Sequence, residues 1–146
     1  MWVRFQKLPL AISIPTLLIV MMMIPSVHGF ISGDSHEGRS FLYAVLMGLF
    51  GCSFLGFSLL GTVFPMHRHA QLWSLISFFL GFPMLLAIPL YEVSGAGGFI
   101  DAYLDIVSTV TTTGLPVFAP GSLSETLVIW RVSLGWASGF LIWVFA

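Results

Sequence analysis

A run of threonines closed by a glycine, Thr109-Val-Thr-Thr-Thr-Gly114, supplies side-chain hydroxyls and a row of backbone carbonyls. Gly114 permits a positive φ, which lets backbone come close to a ligand. Rings of carbonyl oxygens replace the hydration shell of a monovalent cation in ion-selective filters. The chemistry on offer is therefore coordination of a dehydrated cation by oxygen. Taken alone, Thr-Thr-Thr-Gly is a weak signal, because such tetrapeptides occur by chance. Its weight comes from the elements around it.

Upstream, Gly95-Ala-Gly-Gly98 breaks the chain, and Phe99-Ile-Asp-Ala-Tyr-Leu-Asp-Ile-Val-Ser108 has apolar residues spaced for a short helix. Asp101 is the expected N-cap and Asp105 falls in the first turns, both favourable near the positive end of a helix dipole. At 1.5 Å per residue, the stretch from Ile100 to Val110 is about 16 Å long. That reaches halfway through a hydrocarbon core of about 30 Å. After the glycine come Leu115-Pro116 and then the polar Ala119-Pro-Gly-Ser-Leu-Ser124. A half-length helix and a Thr/Gly stretch between two full spans predict a re-entrant loop. Its helix points a partially negative C-terminal end at the site. Non-helical backbone survives at membrane depth only inside protein or beside a water-filled cavity. A surface loop with a Thr-rich strand is the bland alternative.

The spans themselves follow from composition. Of 146 residues, 58% are hydrophobic and 8% charged, against about 25% charged in a soluble domain. Mean hydropathy is +1.01. A soluble enzyme, a nucleic-acid binder and a disordered protein are excluded, and five Lys and Arg in all make no basic patch. About 20 apolar residues cross a bilayer as helix. Residues 8–27, 41–64 and 72–91 qualify, and 123–146 qualifies with Glu125 and Arg131 near its start. The last segment reads as a helix that the chain stops inside, its remainder not shown. Arg4 and Lys7 followed by a long apolar stretch resemble a signal peptide, with Val27 and Gly29 at a cleavage-like place. The stretch is long for an h-region, so a retained span is expected.

Lys and Arg favour the cytoplasmic side. Arg4, Lys7 and Arg68 put the N-terminus and the 65–71 loop there. All six carboxylates then lie on the other side, where they form either a cation-attracting face or an ordinary solvated one. Gly48, Cys52 and Gly56, and Gly135 with Gly139, are small residues at helix-packing intervals. Cys52 is the single cysteine, so it forms no internal disulfide. Arg131 lies about two turns into the last helix. It pairs with Asp101, Asp105 or Glu125 at the outer rim, or snorkels to the interface. His67 and His69 read as polar loop ends, because a closed metal site needs more ligands. Catalytic constellations and cofactor-binding motifs are absent from the sequence. Spans one to three hold no ionisable group for a proton relay.

Asp101-Ala-Tyr-Leu-Asp-Ile-Val-Ser-Thr-Val-Thr-Thr-Thr-Gly114 resembles the first pore helix and filter of the Trk/Ktr/HKT superfamily of potassium uptake proteins, nearest to the bacterial TrkH/TrkG-type translocating subunit. Trp130-Arg131 through Gly135-Trp136 resembles the start of the following helix, and Pro25 with Gly38-Arg39-Ser-Phe41 resembles the two leading helices. The likeness runs over nearly the whole chain and is most specific over residues 99–136. Two departures stand out: Leu115 where a small residue commonly follows the glycine, and Ala137-Ser138-Gly139 where a Gly-Gly pair is usual.

In that family one chain carries four helix–pore-loop–helix repeats around one pore, each contributing a filter glycine. The resemblance implies an all-α polytopic membrane protein. Residues 1–71 would be two leading transmembrane helices and a cytoplasmic loop, and residues 72–146 the first, truncated repeat. It implies potassium uptake across the bacterial inner membrane, with Thr112, Thr113 and Gly114 lining the filter, Thr111 and Leu115 beside them, and Asp101, Asp105 and Arg131 setting the outer-rim electrostatics. Potassium is the transported substrate and no cofactor is implied. The implied partners are the remaining repeats of the same chain, a second copy in a homodimer, and a cytoplasmic nucleotide-binding regulatory subunit. The competing class is a non-transporting membrane scaffold or assembly subunit. It gives no reason for Thr-Thr-Thr-Gly to end a half-helix.

The charge distribution generates a topology test. Single cysteines introduced as Ser35→Cys and His69→Cys in a Cys52→Ala background are expected to react with an impermeant thiol reagent from opposite faces of the membrane. Reaction from one face only would refute the three-span arrangement.

Overall fold

The computed structural model describes residues 10–59, 80–95, 97–119 and 121–145. Among them the chain is all-helical: α1 (Leu10–Met21), α2 (Met23–Ile31), α3 (Ser35–Leu59), α4 (Phe82–Ser94), α5 (Phe99–Val110) and α6 (Glu125–Phe145). Among the described residues two stretches are long and apolar enough to cross a membrane, Ile14–Ile31 and Ser35–Ser58, with mean hydropathies of 1.9 and 1.8. The third expected span is seen only in its later part, as α4. Residues 72–79 and the 65–71 loop, with His67, Arg68 and His69, lie outside the described residues.

The first span is broken once, and proline explains the place. Pro25 has no N–H to give the Met21 carbonyl, so the ladder lapses there. The Met22 N–H turns instead to the Ile19 carbonyl at 3.1 Å. The chain resumes as α2, which carries the span on to Ile31. Gly29, expected near a cleavage-like place, is buried within α2. A Cβ there would lie 2.7 Å from the Gly38 nitrogen, so α2 and α3 touch backbone to backbone. Farther along α3, Gly48 does the same for a side chain, since a Cβ would stand 2.9 Å from Ile19 Cδ1. Cys52 packs against the core, and a Cβ on Gly56 would meet nothing within 4 Å among the described residues.

Phe41 and Trp130 are fully buried and meet edge to face, ring centroids 5.9 Å apart at 67°. Around them pack Met22, Leu86, Leu90, Ile106, Leu127 and Leu134. Polar ties fix one end of this bundle. Ser26 Oγ donates to the Gly38 carbonyl at 2.9 Å, His28 Nδ1 meets Thr126 Oγ1 at 3.1 Å, and Ser40 Oγ donates to Glu92 Oε2 at 2.5 Å. The α2–α3 turn, the end of α4 and the start of α6 therefore share that end. Elsewhere the surface is apolar: Phe50, Phe54 and Phe57 on α3 and Trp136, Phe140 and Trp143 on α6 are all exposed. Lipid tails give apolar helices no solvent-driven reason to associate, so close backbone approach matters more.

Gly29→Ala is accordingly expected to lower stability by about 1–3 kcal/mol through overpacking. A thermal unfolding midpoint in detergent that matches the parent would place the α2–α3 contact elsewhere.

Candidate cation site

The short helix α5 begins one turn before the sequence suggests. Gly98 is its N-cap, in extended conformation at φ −92°. Asp101 stands three residues inside, where its Oδ2 accepts the Gly98 N–H at 2.7 Å. The expected Asp101 N-cap is thus corrected: Gly98 opens the helix, just after Gly95 and Gly97, which take left-handed backbone at φ +57° and +83°. Asp101 still places its charge at the positive end of the dipole.

At the other end α5 closes with a left-handed cap. The Thr113 N–H reaches back to the Ser108 carbonyl at 2.9 Å and the Thr112 N–H to the Thr109 carbonyl at 3.1 Å. These are the two bonds of a Schellman motif, whose left-handed position is usually glycine. Here it is Thr112, at φ +56°. A β-branched residue at positive φ is a steric outlier, and such backbone stores about 1–3 kcal/mol where surroundings hold it. Gly114 follows at φ +72°, and a Cβ there would meet nothing within 4 Å. Its constraint is conformational.

An accounting of backbone groups gives the site its chemistry. The amides of Thr111 to Leu115 all turn back onto α5. Thr111 donates to the Val107 carbonyl at 2.9 Å, Thr113 and Gly114 to that of Ser108 at 2.9 and 3.3 Å. Leu115 donates to Ser108 Oγ at 2.8 Å. Among the described residues, no hydrogen bond ends on the carbonyls of Thr111, Thr112, Thr113 or Gly114. Four consecutive carbonyl oxygens keep their lone pairs while the neighbouring donors are spent. The Leu115 carbonyl is different, since it accepts from Ser108 Oγ at 3.0 Å. Thr111 Oγ1 donates to the Val107 carbonyl at 2.8 Å and meets Thr113 Oγ1 at 2.9 Å.

The return segment is held by a buried ion pair. Asp105 is fully buried, and its Oδ1 accepts the Val117 N–H at 3.1 Å. Its Oδ2 lies 2.9 Å from Arg131 Nε. Of the three carboxylates expected for Arg131, the structure selects Asp105. That carboxylate is buried inside the fold, and Asp101 is the more open of the two. Gly135 and Gly139 seat the end of α5: a Cβ on each would stand 3.6 Å from Thr109 Cγ2 and 3.9 Å from Thr112 Cγ2. An open cavity of about 400 Å³ lies here, lined by Thr109, Thr112, Gly114, Val128, Arg131, Val132 and Gly135.

The structure thus brings Thr111, Thr112, Thr113, Gly114 and Leu115 into one turn and pairs Asp105 with Arg131. Asp101 stays at the far end of α5. Ser108 is the residue that sequence reasoning passed over. Its only signal was a hydroxyl immediately before the Thr/Gly run, where it reads as an ordinary helical serine. Among the described residues no cluster of three His, Cys, Asp or Glu side chains could hold a metal. No family model, curated protein or solved structure matches the chain.

The ion pair generates a stability test. Removing one member of a buried pair costs about 3–5 kcal/mol, while replacing both is often nearly neutral. Arg131→Met alone should lower the unfolding midpoint sharply, and adding Asp105→Asn, which keeps an acceptor for Val117, should restore most of it. Additive losses in the double variant would show that the two side chains act independently.

Proposed function

We propose that this chain supplies the leading helices and the first filter segment of a bacterial inner-membrane potassium uptake protein. The observation that supports the reading is the row of four unpaired carbonyls, Thr111 to Gly114, beside donors wholly committed to α5. Thr112, Thr113 and Gly114 are exposed in this chain, where water can serve their carbonyls. Once neighbouring segments cover the turn at membrane depth, an unpaired carbonyl costs several kcal/mol, and the row needs a partner that carries positive charge and no donor direction of its own. A dehydrated monovalent cation answers that description.

In this reading α4, α5 with its return, and α6 form one helix–pore-loop–helix repeat of potassium-channel type. α1–α3 are the leading spans, and the N-terminus lies in the cytoplasm. The carboxyl end of α5 directs its partial negative charge toward the ion. Thr112, Thr113 and Gly114 are the filter residues, with Thr111 at the inner margin. The end of the bundle tied by Ser40 and Glu92 faces outward. Potassium is the substrate and moves as the bare ion, so no covalent step or cofactor enters. One segment gives one side of a ring, and the remaining repeats of the same chain complete it. A second copy of the chain and a cytoplasmic nucleotide-binding subunit are proposed on the resemblance in sequence alone.

The test is Gly114→Ser in the full-length protein. A side chain at positive φ costs about 1–2 kcal/mol, equivalent to about 5–30-fold in affinity. Potassium uptake by a deficient bacterium on limiting potassium should show a raised KM or weakened discrimination against sodium, at normal membrane levels. Thr113→Ala should be milder, because the ligand is the carbonyl. Unaltered potassium affinity and sodium discrimination in Gly114→Ser would mean that residues 109–115 are not the filter.

A further inference from the structure

Ser108 makes more bonds to the Thr/Gly turn than any residue outside it. Its carbonyl accepts the amides of Thr113 and Gly114 at 2.9 and 3.3 Å. Its hydroxyl accepts the Leu115 amide at 2.8 Å and donates to the Leu115 carbonyl at 3.0 Å. A serine hydroxyl has one proton to give, and that proton is used. The backbone it holds includes Thr112 at φ +56° and Gly114 at φ +72°. Thr112 would relax from that conformation if nothing opposed it. Asp105 Oδ1 takes the Val117 amide beyond the turn, and the other side-chain bonds near it do not cross it. Thr109 and Thr111 donate to carbonyls one turn back on α5, and Thr111 meets Thr113 inside the run.

We infer that Ser108 is the positioning residue of the cation site, its hydroxyl fastening both backbone groups of Leu115 to α5 so that the carbonyl row ends at Gly114. The inference rests on the proposed function of that row. Two consequences follow from the geometry. The Leu115 carbonyl is withdrawn from the ion, because its lone pair is directed at the Ser108 hydroxyl. The left-handed turn is closed from both sides, by the cap bonds at Thr112 and Thr113 and by the staple at Leu115. Without the hydroxyl the Leu115 amide and carbonyl both lose their partner. The segment can then swing, and a fifth carbonyl enters the row. A looser, longer row fits ions of more than one size.

The experiment compares Ser108→Ala, Ser108→Thr and Gly114→Ser in the full-length protein, by potassium and sodium uptake kinetics with membrane levels measured alongside. Loss of about one to two hydrogen bonds predicts a KM for potassium raised about tenfold in Ser108→Ala. Discrimination against sodium should fall with Vmax little changed, and Ser108→Thr should recover both. A purely structural serine would lower the amount of protein and Vmax and leave the potassium-to-sodium ratio as it was. If Ser108→Ala does not accumulate, Ser108→Cys, whose thiol is a weak donor, carries the same expectation. Altered selectivity in Gly114→Ser with parental selectivity in Ser108→Ala or its Cys substitute would overturn the role of Ser108 and leave the filter in place. Parental selectivity in Gly114→Ser would remove the filter reading itself.

Discussion

A carboxylate without solvent must be matched, and the match at Asp105 holds the rest of the site in place. Its two oxygens take different partners. One accepts an amide of the return segment at Val117, and the other faces Arg131 on α6. Three separate pieces of chain are thereby tied at one buried point. Desolvation makes such a point costly to assemble and more costly to break. That asymmetry suits a place where geometry matters more than net stability. It also accounts for an arginine inside an apolar helix. Arg131 is three-quarters covered, and its charge is balanced where it stands.

The turn that Asp105 helps to hold is strained and open at once. Thr112 sits where glycine is usual, so the cap of α5 is not the cheapest one available. What the strain maintains is a division of labour in the backbone. Donors face the helix and acceptors face away from it. A relaxed helix end would leave the last carbonyls to water, and a strand would alternate donors and acceptors along both edges. An ordinary helix end also spends its amides and leaves its last carbonyls open; here the left-handed turn carries such a row past the end of α5. Local strain held by a surrounding bond network is a common property of ligand sites. In this chain the network is the cap bonds, the Ser108 hydroxyl and the Asp105 anchor.

Parts of this were legible in the residues and parts were not. Apolar length marks the spans, and 35–59 and 125–145 form helices close to the stretches that composition outlines. The short helix was legible from its glycine break and its spacing, though its start was not. Asp101 has the residue type of an N-cap and the position of a third helical residue. Type alone does not separate those roles when glycines precede it. The break at Met22 follows from Pro25, yet a proline in an apolar run does not announce whether it kinks or merely bends. Glycine spacing picked out Gly48, Gly135 and Gly139, while the closest approach, Gly29 against Gly38, joins two helices across a turn and has no period to show it. Arg131 had three possible acidic partners, and burial chose among them. Ser108 could not be found at all, because its partner is the backbone of a residue seven positions on. Side-chain-to-backbone bonds across a turn leave no mark on residue type.

The exposed residues complete the physical picture under the proposed function. Thr112, Thr113, Gly114, Leu115 and Val117 are all exposed in this chain, and Trp136, Phe140 and Trp143 form an exposed aromatic edge on α6. One row of carbonyls attracts a cation from one side only. Potassium filters use four such segments, whose oxygens together replace the hydration shell. The energy of dehydration is therefore met by neighbouring segments acting together, and a single row beside water would lose to water itself. Backbone acceptors can stay unpaired in apolar surroundings only where a cavity or another protein surface covers them. The apolar edge can face lipid, so the requirement falls on the open carbonyls. Under the proposed function, further filter segments close around this turn so that its oxygens hold the ion together with theirs.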